Sequence, residues 1–264
     1  MIDLDNQPFD ARVAAAGSRR IELFALLAAA PLGASLIEMR RLIDDDNIAG
    51  KGSAVSREKV WQQLRQRYLL DWNDPVFVAF AEAFHATANV GDRGLLCYLL
   101  FAATNRVFRE ATLRCIVPLL GRAGAAVPIS GVRGEIETMV REQHLHWAES
   151  TIEKVAQNLL AALRDFGLLR GGTKKVTVRP RVTPVVTWYA ARLAELAGCT
   201  AQQTPDFVGF RLLGLDRAAA IDALYAAGTA GALAFRLLAD VAELSLAPLT
   251  HSAVLEGGDA THAR

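Results

Sequence analysis

Apolar residues return every three or four positions along most of the chain, the period of a helix with one buried face. The pattern predicts a first helix over about 19–30, stopped by Pro31. A second starts near Ser35 and points Leu36, Ile37, Met39, Leu42 and Ile43 inward. A polar loop through Asp44-Asp45-Asp46-Asn47 and Gly50-Lys51-Gly52-Ser53 leads to a third helix, with Ser56 as its expected N-cap. Three helices of this size fit a helix-turn-helix module. Dense apolar periodicity over 75–142 predicts a helical middle, with 122–128 as a linker.

The pattern then changes. Ser150-Thr151-Ile152-Glu153 predicts a capping box, in which Ser150 and Glu153 bond each other's backbone N–H groups. The helix that follows buries Ile152, Val155, Leu159, Leu163 and Phe166, and Gly167 ends it. Leu168-Leu169, a Gly171-Gly172 turn and the alternating Val176-Thr177-Val178 come next. A helix, a tight turn and two short strands follow one another in that order in a winged helix. The order recurs near the end: a helix over about 216–227 stopped by Gly228, then strand-like runs at 233–235 and 241–244. The expected fold is therefore mainly α, built of helical modules of winged-helix and helix-turn-helix type with short β-wings. The expected units are an N-terminal helix-turn-helix-like domain (1–72), a helical middle (73–146), a winged-helix-like region (147–246) and a disordered tail (247–264).

Charge sharpens this picture. The whole chain is nearly neutral, at +1, and 52% hydrophobic, which excludes a disordered protein. Residues 150–182 carry seven Lys/Arg against two acidic residues, a local +5, whereas 183–264 carry five basic and eight acidic residues, a local −3. A local basic patch is what electrostatic binding of nucleic acid needs. Opposite the buried stripe of the 150–166 helix lie Lys154, Gln157 and Asn158, with Arg164 at the flank. Gln and Asn pair bidentately with adenine, so these could read bases. Lys174 and Lys175 in the turn, with Arg179 and Arg181 after it, suit phosphates. The third helix offers a second candidate face in Arg57, Lys59, Gln62, Gln63, Gln66 and Arg67. Both faces also have a plain alternative, the solvated side of an amphipathic helix.

Catalytic constellations are missing. Gly50-Lys51-Gly52-Ser53 lacks the first Gly of a phosphate loop. His144-Leu145-His146 has ligand-like spacing but reads as polar surface, and Asp44-Asp45-Asp46 lacks the rest of a calcium loop. Cys97, Cys115 and Cys199 are far apart, with no CxxC, and suit reduced thiols in the cytoplasm. The apolar runs at 23–30 and 95–103 fall far short of the roughly 20 residues that span a bilayer. A binding protein is expected, with no catalytic residue, metal site, cofactor or membrane partner.

The run from Trp147 through Ser150-Thr151 to Arg164-Asp165-Phe166-Gly167-Leu168-Leu169-Arg170 resembles the BrxA family of BREX phage-defence systems. The likeness is a Trp, a Ser-Thr helix start, a long amphipathic helix and an Arg-Asp-x-Gly-Leu-Leu exit. It extends more loosely to Phe210-Arg211-Leu212-Leu213, to the 216–228 helix with its strands, and to the 56–70 helix. The resemblance implies an accessory double-stranded DNA binder in a multi-gene system. That system includes a DNA methyltransferase, a phosphatase-like protein, a large ATPase and a Lon-like protease, so the methyltransferase, ATPase and phosphatase-like protein are its implied protein partners. Two other readings remain: a protein–protein adaptor using the acidic C-terminal region, and an RNA binder of the antitermination type. Against the last, the aromatic residues of both candidate helices fall on buried stripes, whereas single-strand readers stack bases on exposed rings.

Overall fold

Helix starts follow capping chemistry. The side chains of Ser35, Ser53, Asp74, Asn89, Asn105 and Asp216 each accept a backbone N–H from the first turn of the helix they precede. The computed structural model describes residues 2–4, 6–15, 17–238 and 241–249. Most of the expected tail, 250–264, lies outside the described residues.

In chain order the helices are α1 (Arg20–Ala29), α2 (Leu36–Asp44), α3 (Ala54–Tyr68), α4 (Pro75–Ala86), α5 (Val90–Thr104) and α6 (Arg106–Cys115). They continue with α7 (Val117–Leu120), α8 (Ile129–Glu142), α9 (Glu149–Asp165), α10 (Pro184–Leu196), α11 (Val208–Leu212) and α12 (Arg217–Thr229). Two antiparallel hairpins complete the described fold: β1 (Leu169–Arg170) with β2 (Val176–Thr177), and β3 (Ala234–Leu238) with β4 (Val241–Ser245). The protein is mainly α with short β-wings, as the periodicity predicts.

One continuous hydrophobic core runs from α1 to β3. Helix α5 lies at its centre, and every residue from Leu95 to Ala103 is buried. A helix that is apolar all round must be covered all round. Helices α3, α4, α6 and α10 pack against it. From the far side, the Tyr98 hydroxyl donates to the Leu212 carbonyl at 2.9 Å. Phe207, Phe210, Leu212 and Leu213 are all buried, so they belong to the core and form no exposed anchor.

Some expected details differ. The capping box sits on α2, where Glu38 N–H donates to the Ser35 hydroxyl at 3.2 Å and Ser35 N–H to the Glu38 carboxylate at 2.7 Å. Ile37 is 82% exposed, because this short helix buries only Met39 and Ile43. Helix α3 is capped by Ser53, and Ser56 lies inside its first turn. Helix α12 runs through Gly228 and ends after Thr229. The chain just before 250 is tied down: Ala247 accepts from the Trp188 indole at 3.0 Å, and Leu249 N–H donates to Glu82 at 2.6 Å.

Candidate nucleic-acid interface

Helix α9 buries Ile152, Val155, Leu159 and Leu163. At its end Gly167, with φ +92°, adopts the left-handed turn that lets two N–H groups return to the last carbonyls. Gly167 N–H donates to Arg164 and Leu168 N–H to Leu163, at 3.0 and 2.9 Å. Phe166 is thereby pressed into α5 and α6, with ring centroids 5.7 to 6.2 Å from Phe101, Tyr98 and Phe108. The approach is so close that a Cβ on Gly94 would lie 2.8 Å from the Phe166 carbonyl oxygen. Opposite this anchor Ser150, Glu153, Lys154, Gln157 and Arg164 are exposed.

The predicted Ser150–Glu153 capping box is absent. Helix α9 begins one residue earlier, with Ala148 as its N-cap, and the Ala148 carbonyl accepts from Thr151 and Ile152. Glu149 pairs with Arg133 of α8 at 2.7 Å, and Glu153 accepts from Gln157 at 3.1 Å.

The hairpin after α9 is wider than its sequence suggested. Residues 124–127, expected as linker, run antiparallel beside β2. Gly124 N–H donates to Thr177, Thr177 N–H to Ala125 and Val127 N–H to Lys175, each at 2.9 Å. Val127 precedes Pro128, which biases it to an extended backbone; that was the available signal. At the turn Gly171 has φ +99°, and a Cβ there would meet the Lys174 carbonyl at 2.2 Å, so this bend requires glycine. Lys174 is exposed, whereas Lys175 is half-buried and folds its ammonium back to the Gly172 carbonyl at 2.9 Å. Arg179 and Arg181 are exposed on the extended stretch after β2. Arg181 lies near buried Asp92, whose carboxyl burial pushes above its usual range, against the Thr87 hydrogen bond and the Arg181 charge.

Several predicted contact residues have other work. Asn158 is half-buried and donates to the carbonyls of Val13 and Ala14, at 3.0 and 2.9 Å. Arg67 is only 5% exposed; it donates to the carbonyls of Gly17 and Arg12 and stacks over Phe101. Gln63 accepts from Arg19 at 2.8 Å. Arg57 is half-buried, and one of its guanidinium N–H groups donates to the Lys51 carbonyl at 3.3 Å. Arg164 is held by Asp165 at 3.0 Å. What remains outward on α3 is Lys59, Gln62 and Gln66, together with Arg65. Lys59, Lys154, Lys174 and Arg179 form no ion pair among the described residues, so their charge is available to a partner.

The feature missed in the sequence is an N-terminal strap. Residues 7–15 and 17–18 lie across the body, with a 3-10 turn (Arg12–Ala15) packed on α9. Ser18 donates to Asp165 at 2.7 Å, Phe9 stacks on Trp147 at 5.7 Å, and Arg109 donates to Gln7 at 3.0 Å. Only the apolar Val13 and Phe9 hint at this, within a stretch whose Pro8, Asp10 and Gly17 read as loop.

Other chemistry is spoken for. Lys51 reaches Glu22 at 3.0 Å, so the pseudo-phosphate loop closes on its own carboxylate. Burial of Glu22 opposes its ionisation, but the Lys51 hydrogen bond and the Arg19 and Lys51 charges outweigh it, holding the carboxyl below its ordinary range. His144 and His146 line a 450 Å³ cavity with Glu137, Arg141 and Trp147, and no trio of His, Cys, Asp or Glu among the described residues is placed to hold a metal. The three cysteines are free; burial raises the Cys97 thiol far above its usual range and pushes Cys115 up to about 11. Among the described residues no helix is long and apolar enough to cross a membrane.

No curated protein matches the chain. The BrxA family model matches residues 7–193, which takes in the strap, α9, the hairpin after it and most of α10. The chain belongs to the BrxA family, whose members are components of BREX phage-defence systems.

Proposed function

We propose that this BREX component binds double-stranded DNA, acting by binding and without catalysis, with residues 106–178 working as a winged helix. The observation that carries the proposal is the order and pairing of that region. Helices α6 and α7 come first, then the 124–127 strand, α8, α9 and the β1–β2 hairpin. Strand β2 lies between β1 and 124–127. In such a unit α9 is the helix offered to a groove and the 171–175 turn is the wing. Lys154 and Gln157 on α9, Lys174 on the wing, and Arg179 and Arg181 after it form the contact set. On α3, Lys59, Gln62 and Gln66 supply a second basic face.

Phosphate contacts dominate this set, since Asn158 is committed to the strap and Gln157 is the one uncharged reader left on α9. The binding is therefore sequence-tolerant. It also favours duplex over single strands: Trp61, Tyr68 and Phe166 are buried, so neither α3 nor the α9 exit offers an exposed ring. Fluorescence-anisotropy titrations on two unrelated duplexes at two salt concentrations test this. Affinity should be similar for both duplexes and fall with salt at a log–log slope of about −0.9 per phosphate contacted. Salt-insensitive binding, or no binding at low salt, overturns the proposal.

A further inference from the structure

The second hairpin leaves an open strand edge. In β3–β4, Leu237 stands opposite Ala242. The Leu237 N–H donates to the Tyr225 hydroxyl, which in turn donates to the Leu237 carbonyl, both at 3.2 Å. Those two groups therefore point away from β4, which makes Leu237–Ala242 a pair without mutual hydrogen bonds. Ala242 must then turn its own N–H and C=O away from β3. By the alternation of an antiparallel ladder, Leu244 does the same. No strand lies on that side of β4 among the described residues. Tyr225 and α12 cover the outer edge of β3; among the described residues the outer edge of β4 has no such cover.

The molecule itself shows what such an edge accepts. In the first hairpin the second strand, β2, is flanked on its outer side by the extended residues 124–127, held by three 2.9 Å backbone bonds. Strand β4 occupies the same place in the second hairpin and lacks that neighbour among the described residues. Of the devices that guard an edge it carries a single charge, Glu243: Val241–Ser245 contains no Lys, no Pro and no bulge.

We propose that the outer edge of β4 binds an extended segment of another protein by strand addition, with a basic side chain set opposite Glu243 and an aliphatic one beside Val241. The polarity of the exposed face selects this occupant. Val241, Glu243 and Ser245 point outward, and across the ladder Leu238 stands opposite Val241 and Arg236 opposite Glu243. Among the described residues Glu243 thus has a cation on one side and no cross-strand partner on the other. Val241 and Leu238, 67% and 81% exposed, extend an apolar strip that an incoming aliphatic residue would cover. Backbone bonds supply affinity in such a site and alternate side chains supply choice. The surrounding region, −3 over 183–264, favours a basic segment as well.

The test uses the full chain and two labelled peptides, acetyl-Val-Thr-Lys-Thr-Val-amide, whose Val side chains share the face of the Lys, and the same peptide with Glu for Lys. The Lys peptide should bind about fivefold more tightly than the Glu peptide, and Glu243→Lys should reverse that order. Ala242→Pro removes one outward N–H and no bond to β3, so it should weaken the Lys peptide about tenfold while the circular dichroism and duplex affinity stay unchanged. Equal binding of both peptides by the parent, or undiminished binding by Ala242→Pro, overturns the proposal. If Ala242→Pro does not fold, the Glu243→Lys reversal alone decides. Sedimentation equilibrium covers the remaining occupant: a concentration-dependent dimer that Ala242→Pro abolishes would assign the edge to a second copy and overturn the partner named here. Because none of these residues belongs to the basic surface, loss of DNA binding and loss of peptide binding are separately readable.

Discussion

Among the described residues strand β2 has backbone partners on both sides, whereas β4 has one, and that difference runs through everything around the two hairpins. The first is small, with two-residue strands, and sits in a basic stretch after a helix anchored by an aromatic cluster. The second has five-residue strands, sits in an acidic stretch, and follows a helix whose outward positions include Ala218, Asp222, Tyr225 and Ala226. Similar element orders have therefore been given opposite surfaces. The closed, basic one suits a polyanion, and the open, acidic one suits a polypeptide backbone. On the two proposals above, such a division would let one small chain hold DNA and a protein at once.

Breaking the first unit should have the largest effect. Phe166→Ala empties the site between α5, α6 and α9 and should cost about 3–5 kcal/mol in urea unfolding. The double variant Leu238→Ala and Val241→Ala in the second hairpin should stay within about 0.5 kcal/mol per site, because both side chains are already in water. A comparable loss from both would show that the second hairpin is packed and not open.

Asn158→Ala comes next. It leaves the Val13 and Ala14 carbonyls without their donor, which should cost about 1–3 kcal/mol of stability. Gln157→Ala, one position away and exposed, should leave stability unchanged. Equal losses would mean that the strap is not fastened through Asn158.

The charge contrast is sharpened by pairing Lys174→Ala and Arg179→Ala with Arg236→Ala. The first two together should flatten the salt slope of DNA binding by about one to two units, on both duplexes alike. Arg236→Ala should leave the slope as it is. A folded Lys174/Arg179 variant with parental affinity would remove the wing from the interface.

The smallest effect lies outside both units and serves as their control. Glu22 ionises below its ordinary value of 4.5, so its contribution to stability is complete above that value and is lost as pH falls through the folded one. Glu22→Gln should be less stable than the parent at neutral pH and converge with it in acid, while DNA and peptide binding are unaffected. A gap that persists in acid would assign the loss to packing and not to the charge.

Periodicity made the helical class legible, along with the α9 stripe and both hairpins, because those features are local. Val155, Leu159 and Leu163 must share a face in any helix, and Gly167 and Gly171 mark backbone that few other residues adopt. The site was legible only in part. Helical spacing places Asn158 beside Gln157 on the outer side, but it cannot show that residues 13–14 lie over one and not the other. Arg67 looked like surface for the same reason: its carbonyl partners lie some fifty positions away in sequence. The 124–127 strand was hidden because a single extended segment carries almost no pattern of its own. In each case the missing information was a contact between distant parts of the chain.

The Asn158 bonds span 145 and 144 positions. During synthesis the strap leaves the ribosome well before α9, which must follow before the strap has a place to dock. At roughly 5–20 residues per second that interval is on the order of ten seconds. Throughout it Phe9 and Val13 are in water and the carbonyls of Val13 and Ala14 wait for their donor from Asn158. Residues made well before α9 are thus among the last to settle. A fusion or extension at the N-terminus should therefore slow the final step of folding more than one placed at the C-terminus.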